Sequence, residues 1–246
     1  MSFNYNNYFE NVFEGLVDLK SNRWSKDVFN EYVSFTFKNF NHSKSQVFQD
    51  LFVLFVLNSK KNGYFVEFGA TNGVDLSNTF LLEKNFNWTG ILAEPAKSWH
   101  PFLKQNRTAH IDTRCVWRES GKNLTFNEVE NRELSTIHEF SNSDHYEELR
   151  KKSTLYDVET ISLNDLLEYY NAPLQIDYMS VDTEGTELPI LEKFDFKKYQ
   201  VSIFTIEHNF TINRESIQQL MSSNNYKRVF ENISRWDDWY IHNSIL

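Results

Sequence analysis

Four short apolar runs each finish in a carboxylate: YFVE at 64–67, ILAE at 91–94, MSVD at 179–182 and FTIE at 204–207. Runs of this length, separated by amphipathic stretches, fit the buried strands of a parallel sheet joined by crossover helices. In such a sheet the C-terminal strand ends share one edge, so the pattern lines four acids, Glu67, Glu94, Asp182 and Glu207, along the rim where α/β folds bind ligands.

The strands expected are 64–68, 91–94, a weaker 110–117, 176–182 and 201–207, with 226–230 and 239–242 as an antiparallel pair closing the sheet. Phe48, Leu51, Phe52 and Phe55 keep helical spacing and predict a helix ending near residue 58 with Ser45 as its N-cap. Another helix starts near Ser77, and one more carries Leu188, Ile190, Leu191 and Phe194. Ser162, with Asp165 three residues on, opens a short helix over 163–170. The fold class is therefore α/β and Rossmann-like, mostly parallel, with an antiparallel C-terminal hairpin and helices on both faces.

Residues 1–44, rich in Asn, Phe and Tyr, are expected to form a helical N-terminal extension, and 45–246 one domain. Residues 118–160 are polar and aperiodic, too long for an ordinary connection, and predict an insertion holding a hairpin or a cover for substrate. The net charge of −9 disfavours nucleic-acid binding. Cys115 is the only cysteine, which rules out an intrachain disulfide and suits a reducing cytosol, so a cytoplasmic protein is expected. The longest apolar run, 51–57, is far short of the roughly 20 residues of a spanning helix.

One acid at a strand end is explained equally well by the chain leaving the core for water. Four are not, because like charges crowded together destabilise one another unless a cation or hydrogen-bond donor joins them. Glu94 follows Gly73 by 21 residues, near the offset at which Rossmann-like domains place the acid that binds a ribose diol. The loop before it is not G-x-G-x-x-G, since Ala70, Thr71 and Asn72 separate Gly69 from Gly73. A loop without the pyrophosphate-wrapping glycines leans toward S-adenosylmethionine (SAM), which has a ribose and no phosphate.

The segment GYFVEFGATNGVDLSNTFLLEKNFNWTGILAEP, then DYMSVDTEGTELPILEKFDF and IFTIEHN, resembles the FkbM family of methyltransferases, and SQVFQDLF is similar to the segment preceding that signature. The resemblance spans about 45–209. It implies a seven-stranded class I methyltransferase fold, SAM as methyl donor, and O-methylation of a sugar or other small metabolite, such as a surface-glycan precursor in polysaccharide biosynthesis. Carried onto this chain, Glu67, Gly69, Asn72 and Gly73 shape the methionine side of the pocket. Ser77 and Asn78 hold the SAM carboxylate and Glu94 the ribose. Glu67 stands where an Asp is common, and residues 118–160 match least. Trp117 has two readings, a cover for the adenine or a core tryptophan.

A hydroxyl acceptor needs a group to take its proton. Either Asp182 or His208 is the general base, or Asp182, Glu207 and one of His208 and Asn209 hold Mg²⁺ or Mn²⁺ against the acceptor oxygen. Carboxylates after these strands resemble the metal ligands of catechol-type methyltransferases. Glu184 and Glu187 belong to the site or to a solvated helical turn. Two other functions use the same residues: a nicotinamide-dependent reductase, and a SAM-binding protein without turnover.

Overall fold

Alternation along the central strands sorts apolar side chains to the two faces of a sheet, and each face has its own set of helices. The computed structural model describes residues 26–141 and 147–246. In chain order these form α1 (Lys26–Asn39), α2 (Gln49–Val56), β1 (Tyr64–Phe68), α3 (Phe80–Phe86), β2 (Thr89–Ala93), α4 (His100–Asn106), β3 (His110–Asp112), β4 (Cys115–Trp117), β5 (Asn123–Val129), β6 (Thr136–Ile137), β7 (Ser153–Ser162), α5 (Leu163–Tyr169), β8 (Gln175–Val181), α6 (Glu187–Leu191), β9 (Gln200–Glu207), α7 (Asn213–Ser223), β10 (Tyr226–Val229) and β11 (Asp237–His242).

Seven strands make the main sheet in the order β3-β2-β1-β8-β9-β11-β10. β11 is antiparallel to both neighbours, so the closing pair is the expected hairpin with its second strand inserted between β9 and β10. Phe65, Leu92, Tyr178, Ile203 and Trp239 face α1, α2 and α3. Val66, Ile91, Met179, Phe204 and Tyr240 face α5, α6 and α7. The expectation of helix before residue 45 falls partly on 1–25, outside the described residues. α1 itself buries Phe29 and Tyr32, and the Tyr32 ring stacks on Phe230 with centroids 4.8 Å apart. No helix among the described residues is long and apolar enough to cross a membrane.

Two boundaries differ from expectation. α2 begins at Gln49 because Phe48 adopts a left-handed φ of 63°. Ser45 is not the N-cap residue, a place that Phe48 takes, but its Oγ still accepts from the Asp50 amide of the first turn at 3.2 Å while donating to the Ser77 carbonyl at 3.4 Å. The run 110–117 breaks into β3 and β4 because Asp112 turns the chain onto itself. Its carboxylate accepts from the Arg114 amide at 2.8 Å and from the Arg114 guanidinium at 3.0 and 2.5 Å. β4 thereby leaves the main sheet and joins β7, β5 and β6 in a second, four-stranded one. The insertion is thus a β-structure around the β5–β7 hairpin, with its own apolar cluster of Trp117, Phe126, Ile137 and Val158.

A single buried guanidinium fixes the loop between β1 and α3. Arg107 donates to Glu83 at 2.7 Å, the Gly73 carbonyl at 3.1 Å, Ser77 Oγ at 3.0 Å and Thr79 Oγ1 at 2.8 Å, and lies 3.7 Å from Glu67. Removing one partner of a buried charge network leaves the remaining charge unpaired. Arg107→Met is therefore expected to lower unfolding free energy by about 3–5 kcal/mol, read from the urea midpoint. A loss below about 1 kcal/mol, the range of an exposed pair, would show that the network is not what holds this loop.

Candidate active site

Register across the main sheet decides which side chains meet at its edge. Glu67 pairs with Leu92 on one side and Ser180 on the other, Ser180 with Thr205, and Thr205 with Trp239. Residues in register share a face, and the next residue on that face is two positions along. The row beyond is therefore Glu94, Gly69, Asp182, Glu207 and Asp237, the last opposite Glu207 in the antiparallel pairing. Glu94, Asp182 and Glu207 thus come together at one edge and one face, whereas Glu67 stands a row deeper. Asp237, which begins an antiparallel strand, joins them. The strand-end pattern missed it because only parallel strands end at this edge; the Asp237–Asp238 pair opening the last strand is the signal it left.

Gly69 sits among the acids because nothing larger fits. Its φ is +69°, and a Cβ there would lie 2.3 Å from the Asp182 carbonyl oxygen. Gly73, at φ +79°, is pressed against Arg107 and Leu103 in the same way. Between them, the Asn72 amide oxygen accepts from the Val74 and Asp75 amides, both at 2.9 Å, which shapes the turn.

Glu94 holds the two ends of the crevice wall together, accepting from the amides of Thr71 and Ala96 at 2.8 Å each. Burial pushes its pKa up to about 7 in spite of these bonds. Glu67 is satisfied within its own loop by Ser77 Oγ, Thr79 Oγ1 at 2.5 Å and the Asn78 amide at 2.7 Å. Burial also raises its pKa, opposed chiefly by Arg107. Ser77 and Asn78 thus differ from expectation. The amides of Asn78, Thr79 and Phe80 are taken by Glu67 and Ser77 Oγ, so a protein carboxylate already occupies the place proposed for the SAM carboxylate. The Asn78 side chain donates to Ser180 Oγ at 2.9 Å, and its buried Oδ1 has no hydrogen-bond partner.

Carboxylate oxygens of Asp182, Glu184 and Glu207 lie within 4.8 Å of one another. Burial, then the charges of Asp237 and Glu187, drive the Asp182 pKa well above the carboxylate range. Burial and the charges of Asp182 and Glu184 do the same to Glu207, whose Oε2 is buried without a hydrogen-bond partner. Asp237 is pushed up to about 7 by burial, although Gln49 donates to it at 2.7 Å. Glu184 is steadied from the insertion: Arg150 donates to its carboxylate at 2.7 Å, and Thr136 Oγ1 to its carbonyl at 2.9 Å. Glu187 is no solvated residue, since its Oε1 accepts from Thr183 and Gly185 amides at 2.9 and 3.1 Å.

His208 does not reach these acids. It follows Glu207 directly, and pleating turns consecutive side chains to opposite faces. Its Nδ1 accepts from the Phe210 amide at 3.0 Å, its Nε2 lies 3.7 Å from Asp238, and burial lowers its pKa to about 4. Asn209 is buried in a left-handed turn with its amide on the Trp236 carbonyl at 3.2 Å. Trp117 is a core residue of the second sheet, edge-on to Phe140. A cavity of about 40 Å³, lined by Phe68, Gly69, Ala93, Val116, Phe126 and Asp182 among others, runs from the glycine loop toward that sheet.

A family profile for the methyltransferase FkbM domain matches residues 67–239. No curated protein sequence matches the chain. Among solved structures, a precorrin-6y C5,15-methyltransferase from Geobacter metallireducens GS-15 is similar with 8% identity and a TM-score of 0.38, over 73% of this chain and 70% of that one. A candidate RNA methyltransferase from Pyrococcus horikoshii is similar with 11% identity and a TM-score of 0.37, over 79% of this chain and 81% of that one. The family match decides for methyl transfer over a nicotinamide-dependent reaction.

The raised carboxylates carry a pH signature. Glu94 and Asp237 titrate near 7 when folded and near 4 when unfolded. Between those values the folded state holds protons the unfolded chain has lost, so their stabilising contribution is present below about pH 4 and disappears as pH rises through about 7. The melting temperature of the ligand-free protein should fall from about pH 5.5 to about pH 8, and Asp237→Asn should shrink that fall. A midpoint that rises over this interval contradicts the assignment.

Proposed function

Because the chain belongs to the methyltransferase FkbM domain family, we propose that it is an O-methyltransferase acting on a hydroxyl of a sugar or another small metabolite. SAM, when bound, supplies a methyl group on a positively charged sulfur, open to attack from the side opposite that sulfur. The residues fit this group. Glu94 keeps lone pairs free beyond the two amide bonds it accepts, enough for a ribose diol. Asn78 Oδ1 is a buried acceptor without a donor, suited to the ammonium of the amino acid tail. Gly69 keeps the backbone of the crevice low between Glu94 and Asp182.

The single observation that carries the reading is the Asp182–Glu207 pair. Two buried carboxyls, each with its pKa driven well above the carboxylate range by burial and nearby acids, retain a proton between them in the free enzyme. A positive charge beside them favours ionisation, which frees a carboxylate to accept a proton. Asp182 is the more exposed of the two and faces the acceptor; its carboxylate takes the hydroxyl proton, and Glu207 shares it. Arg150 and Thr136 hold Glu184 beside the pair. Orientation of the acceptor oxygen within this crevice contributes the remainder of the rate.

A second reading is favoured by the spacing of Asp182, Glu184 and Glu207, an oxygen-only set suited to Mg²⁺ or Mn²⁺. Under it these three residues, without His208 and Asn209, hold the ion.

Asp182→Asn should lower kcat by about 10²–10⁴-fold while leaving S-adenosylhomocysteine affinity, measured by calorimetry, nearly unchanged. Full activity would remove Asp182 from the chemistry, and lost affinity would make it a cofactor ligand. The same assay in EDTA separates the two readings: undiminished transfer leaves the carboxylate base alone, whereas loss restored by Mg²⁺ or Mn²⁺ establishes the ion.

A further inference from the structure

The cavity beside Gly69 holds about 40 Å³, whereas a groove of about 570 Å³ opens on the outer side of the same loop. Only the second has the roughly 300–1,000 Å³ of a small-molecule site. We propose that this groove binds the methyl acceptor, and that it takes a neutral polyhydroxylated ring, a glycoside or glycan end, in preference to a nucleotide-activated sugar. The proposal rests on the O-methyltransferase reading and adds to it where the acceptor binds and what charge it carries.

Three pieces of chain form the walls. The first is residues 40–44, which lie outside the 67–239 family match and contribute Phe40, Asn41 and Lys44. They are pinned by Asp50, which accepts from Ser43 Oγ at 2.6 Å and from the Lys44 amide at 3.2 Å, and by the bridge between Ser45 and Leu76. The second is the turn at Asp75, whose carboxylate accepts from Asn72 at 2.8 Å. Thr71 and Asn78, on the same loop, touch Glu94 and Ser180, so one loop separates the cofactor crevice from the groove. The third is Glu133 of the insertion. Its neighbour Leu134 accepts from Arg150 at 2.8 Å, and Arg150 reaches Glu184 of the acid trio. The groove therefore lies between the glycine loop and the part of the insertion that Arg150 ties to Glu184.

The lining states the ligand chemistry. Phe40 offers a flat apolar surface, and Asn41, Lys44, Asp75 and Glu133 offer donors and acceptors around it, which suits a ring with an apolar face and hydroxyls at its edge. Two carboxylates against one lysine repel a diphosphate.

The test is saturation-transfer NMR on the full chain with S-adenosylhomocysteine bound, using methyl hexopyranosides and UDP-glucose as probes. Glycosides should show transfer and bind more tightly than UDP-glucose. Lys44→Ala and Glu133→Gln should each weaken the glycoside by about tenfold and leave S-adenosylhomocysteine affinity unchanged. Glycoside binding unaffected by both substitutions would place the acceptor elsewhere. Tighter UDP-glucose, or no glycoside signal at all, would overturn the ligand class while the methyltransferase reading stands. A drop in S-adenosylhomocysteine affinity on Lys44→Ala would assign the groove to the cofactor. Wild-type protein that fails to bind S-adenosylhomocysteine would sink the O-methyltransferase reading itself.

Discussion

Like charges that cannot reach water are what the rest of this structure is arranged around. The pleat and register of the sheet put Glu94, Asp182, Glu207 and Asp237 in one row on one face, with Gly69 among them where a side chain would collide with the Asp182 backbone. Such a row is stable in two states, protonated or in the company of a cation. Under the proposed function a sulfonium cofactor supplies the second state, and the cost of gathering acids becomes affinity for the positively charged form of the ligand.

The supports around this row divide the labour by charge. Arg107 neutralises Glu67 and Glu83 a row beneath the rim. Arg150 reaches in from the insertion and ends on Glu184, the member of the trio that it pairs with. The insertion thus has a part in the site: its Arg150 and Thr136 hold Glu184, whose φ is a left-handed 58°, beside Asp182.

Much of this was legible in the sequence, and the limits of that legibility have physical causes. The central strands and the acids at their ends follow from short apolar runs, because burial on both faces demands them. The family likeness was legible too, from the glycine loop through Glu94 to the segment ending in Asp182. Asp237 was hidden because an antiparallel strand brings its first residue, not its last, to the shared edge. His208 looked like a neighbour of Glu207, and period-two alternation sends it to the other face instead. Ser77 and Asn78 looked like an open anion site, yet Glu67 fills it, a long-range contact that no local pattern encodes. Of the second sheet only the expectation of a hairpin in 118–160 was legible, since its strands are polar outside and its core is small.

The central claim is that buried, protonated carboxyls give up protons when a cation arrives. Calorimetry of SAM and of S-adenosylhomocysteine, each in buffers of different ionisation enthalpy near neutral pH, reads those protons directly. SAM carries the extra positive charge at sulfur, and the account predicts that its binding releases more protons to buffer than binding of S-adenosylhomocysteine does. Equal release by the two ligands, or net proton uptake with SAM, would contradict it.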